Sequence, residues 1–365
     1  MVWSGVFAEL IWRYLIPSAV LGLGLVACNA DSGAEASSVP SAHPAPSLPA
    51  PSAEPWSAPS ASAAPSATAS AIPDDPRPLH LTTQAELLAL LPPFPPDARP
   101  FIEQHVSPGG FSAMNQGNPE LASHSITRKA CLEGLAGVEL QTAEQRRICG
   151  HEGMVPIYDD GDPSSAKTCI DIFEFPNRAC ELPFVWAGPT IAQGLCKKLG
   201  KRLCKQDEWM LACDADPTGG ERWKYAYGNE LDLTACNTSK SKKGLEPVCD
   251  PSTVKTTWDT CHTDTEPSGA FPRCRSRLGV YDLHGNVAEA MTRWDLEEKE
   301  TVSQLKGSAF FYIDVARKLS EKPEKTNYPD HCRHDPRWHV QPMTRAWHVN
   351  YHLGFRCCAD VPAAK

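Results

Sequence analysis

The longest apolar pattern with helical spacing lies between Glu181 and Leu199, where Ile191, Leu195, Cys196 and Leu199 recur on one face. Pro189 sits near its start, and Gly200 is placed to close it. A second helix is predicted over Gln206–Cys213, with Trp209 facing the core. Thr83–Leu91 combines helix formers with a Thr start, and Pro92-Pro93 stops it. Ser125–Cys149 carries helical runs broken at Gly134 and Gly137. Beyond residue 213 long periodicity ends, and Gly, Pro and Asn separate short strands. The one alternating stretch of note runs from Gly279 to Leu283, the period of a half-buried strand.

The first 79 residues obey no packing pattern. Arg13 is the only early positive charge, Tyr14–Ala27 is apolar, and small residues precede Cys28. This is a signal peptide in outline, too short to prefer a spanning helix. Leu25-Val26-Ala27-Cys28 fits the bacterial lipobox, which makes Cys28 the lipidated first residue of the mature chain. The expected location is the bacterial cell envelope, lipid-anchored and extracytoplasmic, with the membrane itself as one partner. From Asn29 the chain is Ala, Ser and Pro, and eleven of the 34 prolines lie between there and Pro78. Such a segment buries too little surface to order itself, and serves as a semi-rigid tether. The expected division is a signal peptide at 1–28, a linker at 29–79, a helical extension at 80–149 and the main domain at 150–362. The extension has too little apolar sequence for a core of its own.

Cysteine usage sharpens the compartment. The chain has 15 Cys, and setting Cys28 aside leaves fourteen, an even number, all between Cys131 and Cys358. In an exported chain this reads as disulfides; a zinc site would need paired short spacings such as C-x₂-C, which are absent. The net charge of −9 argues against nucleic acid as a partner.

The chain is organised around Gly279-Val-Tyr-Asp-Leu-His-Gly-Asn-Val-Ala-Glu289. His284, Gly285, Asn286 and Glu289 crowd polar groups into a tight turn. Gly285 permits a bend that a Cβ would obstruct, and Asn286 can bond its own backbone. A carboxylate beside several carbonyls suits a hard cation such as calcium; a capped turn with Glu289 facing water is the plain alternative.

This stretch resembles the G-[LV]-Y-D-M-x-G-N-V-W-E-W signature of the formylglycine-generating enzyme, or sulfatase-modifying factor, family. Three more segments agree in order: Met154-Val-Pro-Ile157; Gly200-Lys-Arg-Leu-Cys-Lys-Gln-Asp-Glu-Trp209, followed by Tyr225-Ala-Tyr-Gly-Asn229; and Gly354-Phe-Arg-Cys357. The resemblance implies a disulfide-rich α+β fold of C-type-lectin-like topology with low secondary-structure content. It also implies structural calcium on the carbonyls of His284, Gly285 and Val287 and the carboxylate of Glu289, with a second site at Asn237 and Thr238. For disulfides it implies Cys196 with Cys357, and then Cys213 with Cys332. Proximity in sequence suggests Cys131 with Cys149, Cys236 with Cys249 and Cys261 with Cys274.

The family's enzymes hold copper between two cysteines five residues apart and convert a sulfatase cysteine to formylglycine; soft thiolates suit Cu(I). In the matching stretch, Leu305-Lys-Gly-Ser-Ala-Phe-Phe311, Phe311 stands at the first cysteine position with Ser308 nearby, and Ala316 follows at the second. No Cys occurs between Cys274 and Cys332. The reading is a non-catalytic binding or scaffold module for a protein or glycan ligand, with Trp209, Trp223, Trp294 and Trp347 weighed as ligand platforms against ordinary packing. The rival is a copper- or iron-dependent oxidoreductase using Cys332 and the late histidines His331, His334, His339, His348 and His352.

Overall fold

A computed structural model describes residue 75 and residues 77–240, 249–250, 252–312, 331–334 and 340–362. Cys28, the lipobox, most of the linker, Ala316 and His339 lie outside the described residues.

Short capped helices open the described chain: α1 (Gln84–Ala89), α2 (Arg99–His105), α3 (Arg128–Gly134) and α4 (Ala143–Cys149). Thr83 and Thr142 each accept from the third residue of the helix they start, and Glu86 and Gln145 reciprocate. These capping boxes satisfy backbone donors that no helical turn can reach. The extension shares the main core: Leu87 and Ile102 pack in one cluster with Leu195, Phe184 and Phe355.

The strands β1 (Met154–Pro156) and β2 (Thr168–Asp171) follow, then helix α5 (Pro189–Lys198), β3 (Arg202–Leu203), and helices α6 (Gln206–Asp214) and α7 (Val254–Thr260). The long helix expected from Glu181 begins only at Pro189, with Gly188 as its extended N-cap residue. Proline fits a helix's first turn, where its missing N–H costs nothing. Residues 181–188 pair by backbone instead, Phe184 to Phe175 and Val185 to Asn115.

The chain ends in β4 (Ala288–Asp295), β5 (Glu300–Lys306), β6 (Gln341–Pro342), β7 (Leu353–Phe355) and β8 (Cys357–Asp360). One sheet has the order β1-β2-β8-β3 and is antiparallel throughout. The other has the order β6-β5-β4-β7, with β7 parallel to β4. Strand β4 is buried on both faces. Ala288 and Ala290 pack toward the cluster of Phe175, Phe184 and Phe355, while Met291 joins the cluster of Trp209, Ile172 and Tyr281. Where the resembling signature carries Trp, these two alanines leave the volume to neighbouring phenylalanines. No helix among the described residues is long and apolar enough to cross a membrane.

Seven disulfides join the fourteen cysteines. Cys196–Cys357 and Cys213–Cys332 pair as the family resemblance implies. Pairing by closeness in sequence fails three times. Cys131 bonds Cys180, and Cys149 bonds Cys169, because the two cysteines at the ends of the 131–149 stretch pack in different clusters. Cys236 bonds Cys274, its neighbour in a small core of their own, and Cys249 bonds Cys261 across α7. The remaining bond is Cys204–Cys358. Adjacent Cys357 and Cys358 point to opposite faces of β8, as successive strand residues do, and so reach different partners. Seven disulfides mark a domain that matures in oxidising surroundings.

Candidate functional site

The stretch from Val280 to Glu289 is buried apart from what its backbone turn requires. Asp282 and Asn286 take left-handed backbone angles, φ 56° and 55°, which short polar residues tolerate best. Gly285 lies at φ 74°, and a Cβ there would sit 2.3 Å from the carbonyl oxygen of Asn237. The turn is therefore wedged into the protein rather than offered to solvent. The Asn286 side chain accepts from the Glu266 N–H at 2.8 Å and from Asn237 Nδ2 at 3.0 Å. Its own Nδ2 donates to Glu174 at 2.6 Å, and Glu174 also accepts the Val287 N–H at 3.0 Å.

Glu289 is the anionic centre of this hub. Its carboxylate accepts Arg356 Nε at 2.7 Å and Nη2 at 2.5 Å, and the Trp209 indole N–H at 2.9 Å. Arg356 also donates to the carbonyls of Asp171, Ile172 and Tyr281, so its planar fork is nearly filled. Both partners are essentially without solvent exposure. Burial pushes the neighbouring Asp282 carboxyl up to about 7, although the Gly269 N–H and Arg356 pull the other way. Burial, then Asp282 and Glu289, raise Glu174 well above the usual carboxylate range. One ion pair and two proton-retaining acids is the arrangement a dry interior favours.

Of the residues expected to hold calcium, Glu289 has other partners in this geometry. The carboxylate of Glu289, the only charged ligand in that set, already binds a guanidinium and an indole, leaving no oxygen turned to a free ion. A calcium ion there would have to displace Arg356 into an uncompensated buried position. The His284 carbonyl lies 3.3 Å from Cys274 Sγ, and the His284 side chain is buried. Its ring lies against Trp209, Tyr225 and Tyr227, and its Nε2 accepts the Ala226 N–H at 3.0 Å. That nitrogen is 3.4 Å from Cys213 Sγ and 3.9 Å from Cys332 Sγ. Cys213, His284 and Cys332 are grouped as metal ligands would be, but the two sulfurs are bonded to each other. At the second expected site, Asn237 bonds Asp264 and Asn286, and Thr238 donates to the Leu233 carbonyl. Asn237 thereby braces the turn at Asn286, while Thr238 closes its own turn back to Leu233.

The face where the family's copper centre would stand is aromatic. Ser308 is buried, and its hydroxyl accepts the Gly285 N–H at 2.8 Å. Phe311 packs against Phe310, Tyr351 and His352 at ring separations of 5.3, 6.1 and 5.0 Å. A phenyl ring cannot ligate copper, and every cysteine from 131 to 358 is in a disulfide. The residues present do not fit the copper centre. His331 and His334 contact each other at 5.7 Å, and among the described residues no three of the late histidines meet as ligands.

The tryptophans divide. Trp209 is core, and Trp223 lies under Arg277 at 4.2 Å. Trp347 is 72% exposed and Trp294 60%. Trp294 opens on a cavity of about 490 Å³, lined also by Lys205, Gln206, Asp207, Arg293 and Thr301. Sequence reasoning gave no role to Glu174 or Arg356. A signal for Glu174 was present: an acid inside the apolar run Ile172-Phe173-Glu174-Phe175 must find a buried partner.

Two four-stranded sheets, a closing Arg-Cys-Cys strand and a buried Gly-Asn-Val-Ala-Glu turn make up a formylglycine-generating-enzyme-like domain. Residues 181–361 match the family of the sulfatase-modifying factor enzyme 1-like domain, and the chain carries a domain of that family. Strands β1 and β2, which precede the matched span, complete its first sheet. A solved structure titled "Crystal Structure of CarF" aligns at 13% identity over 49% of this chain and 68% of that chain, with a TM-score of 0.31. No curated protein matches the chain.

Proposed function

We propose that this protein is a lipid-anchored, non-catalytic member of the sulfatase-modifying family, displayed outside the cytoplasm as a binding module. The observation that carries the reading is the aromatic packing of Phe311 where a thiol would stand, in a domain whose cysteines are all spent on disulfides. Oxidation of a substrate cysteine through copper needs two free thiolates at one place. What the fold retains is a rigid frame. Trp294 is the ligand platform: a flat apolar face beside Lys205, Asp207 and Arg293 suits a sugar ring, which has one apolar face and a polar rim.

The test incubates the purified protein with copper, oxygen and a cysteine-containing sulfatase peptide, and follows the peptide mass. The expected result is no conversion, and formylglycine above the protein-free control overturns the non-catalytic reading. Glycan-array binding lost in Trp294→Ala supports the platform; unchanged binding removes it. Cys28→Ala should release the protein from the membrane fraction, and retention after carbonate washing would contradict the anchor.

A further inference from the structure

Two histidines outside the family-matched span share a buried contact that the proposed function does not use. His80 lies just before α1, and His124 lies before α3. Their ring centroids are 6.0 Å apart, with the planes inclined at 33°. His124 Nδ1 is 2.5 Å from the carbonyl oxygen of Thr265. A carbonyl can only accept, so Nδ1 carries the proton and Nε2 presents its lone pair. That Nε2 is buried with no hydrogen-bond partner, and both ring nitrogens of His80 are in the same condition. Backbone groups of Leu81, Gln116 and Gly117 lie near the His80 ring without hydrogen-bonding geometry. Three orphaned nitrogens at one contact are costly unless something else satisfies them.

We propose that His80 and His124 form a binding site for a borderline transition-metal ion such as zinc(II), completed by water from the adjoining cavity. A metal–imidazole bond of about 2.0–2.1 Å places the ion about 3.2 Å from each ring centroid, so a tetrahedral ion holds two rings about 5.2 Å apart. The observed 6.0 Å is within about 1 Å of that, a closure two side chains can make. The Nδ1–H to carbonyl bond of His124 is the support that ligating imidazoles ordinarily have behind them. His80 and His124 both line a cavity of about 760 Å³, which gives water and the ion a way in.

The surrounding charges permit a cation. Arg77 and Arg128, on the cavity wall, are held by Asp75 and Glu181. Behind His124, Asp264 and Glu266 face a single Lys240, which is paired with Glu266 at 2.5 Å. His262 stands 3.8 Å from Asp264. The site would tie the segment ahead of α1 to the body of the domain, a role separate from the copper chemistry that the domain has lost.

The experiment titrates zinc(II) into chelator-treated full-length protein by calorimetry, beside His80→Ala, His124→Ala and a His348→Ala control. The wild type and the control should bind one equivalent alike, and each of the other variants should bind at least tenfold more weakly. Cobalt(II) supplies a second readout: a visible ligand-field band in the wild type, absent in His80→Ala. If His124→Ala fails to fold, His80→Ala, with its fold checked by circular dichroism, carries the test alone. No zinc on the wild type, or equal affinity in the His80→Ala variant, overturns the proposal.

Discussion

Trp209 and Arg356, 147 positions apart in the chain, donate to the same oxygen of Glu289, Oε2, at 2.9 and 2.7 Å. Each comes from one of the sequence segments that define the family, and Glu289 comes from a third. The segments are recognisable because they must meet here, and the meeting is structural: a buried anion, a buried cation and an indole that orients them.

Removing one member should therefore be severe. Glu289→Gln and Arg356→Met should each destabilise by about 3–5 kcal/mol, since a lone buried charge remains, while the double variant recovers part of the loss. Denaturant unfolding of the four proteins measures the coupling. The Glu289→Gln deficit should be the same in calcium and in chelator; a deficit seen only with calcium would restore the ion-binding role.

Gly285→Ala combines a left-handed backbone with a collision at the Asn237 carbonyl, whereas Gly137 has a similar φ of 76° and open space around it. Gly137→Ala should cost about 1–2 kcal/mol, the backbone strain alone. The difference in melting temperature between the two variants isolates the collision, and equal losses would mean that the turn can shift away from Asn237.

Stability should fall as pH rises through the window set by Asp282. Its folded carboxyl is raised from 3.8 to about 7, so the native state keeps a proton that the unfolded chain has released. The contribution is complete below about pH 4 and is lost as pH climbs toward 7, by up to about 1.4 kcal/mol for each unit. Asp282→Asn retains an oxygen for the Gly269 N–H and removes the titration. Its stability should be flatter between pH 4 and 7, and parallel profiles for the two proteins would exclude Asp282 as the source.

The disulfides should differ in worth. Cys249–Cys261 closes a separation of 12 residues and Cys196–Cys357 one of 161. Chain entropy predicts losses of about 3 and about 5 kcal/mol when each pair is replaced by alanines. Calorimetric melting gives the order, and a reversed order would mean that native packing around the cysteines outweighs loop closure.

What could be read in the sequence was local or came as ordered segments. The Thr83 start of the first helix, the helical runs within residues 125–149 and the helix read over Gln206–Cys213 follow from neighbours within a few positions. The start of α5 was overrun because the apolar pattern says nothing about where a proline prefers to sit. Phe311 was legible as the wrong chemistry at a known place. The partners of Cys131, Cys149 and Glu289 were not legible, because each lies on a segment whose position only the finished fold decides. Calcium ligands and the members of a buried ion pair have the same residue types, so sequence alone does not separate them.

Strand β8 occupies the middle of its sheet, between β2 and β3, and β7 completes the edge of the other. Neither sheet can close until residues 353–360 have arrived, and Cys196 and Cys204 wait for Cys357 and Cys358 until then. During synthesis this domain therefore cannot complete either sheet from its N-terminal end alone. Until residues 353–360 arrive, both sheets keep open edges and Cys196 and Cys204 keep unpaired thiols, although the other five disulfides can already close. A fragment ending before residue 353 would lack a strand from each sheet and would be open to proteolysis rather than a smaller working module.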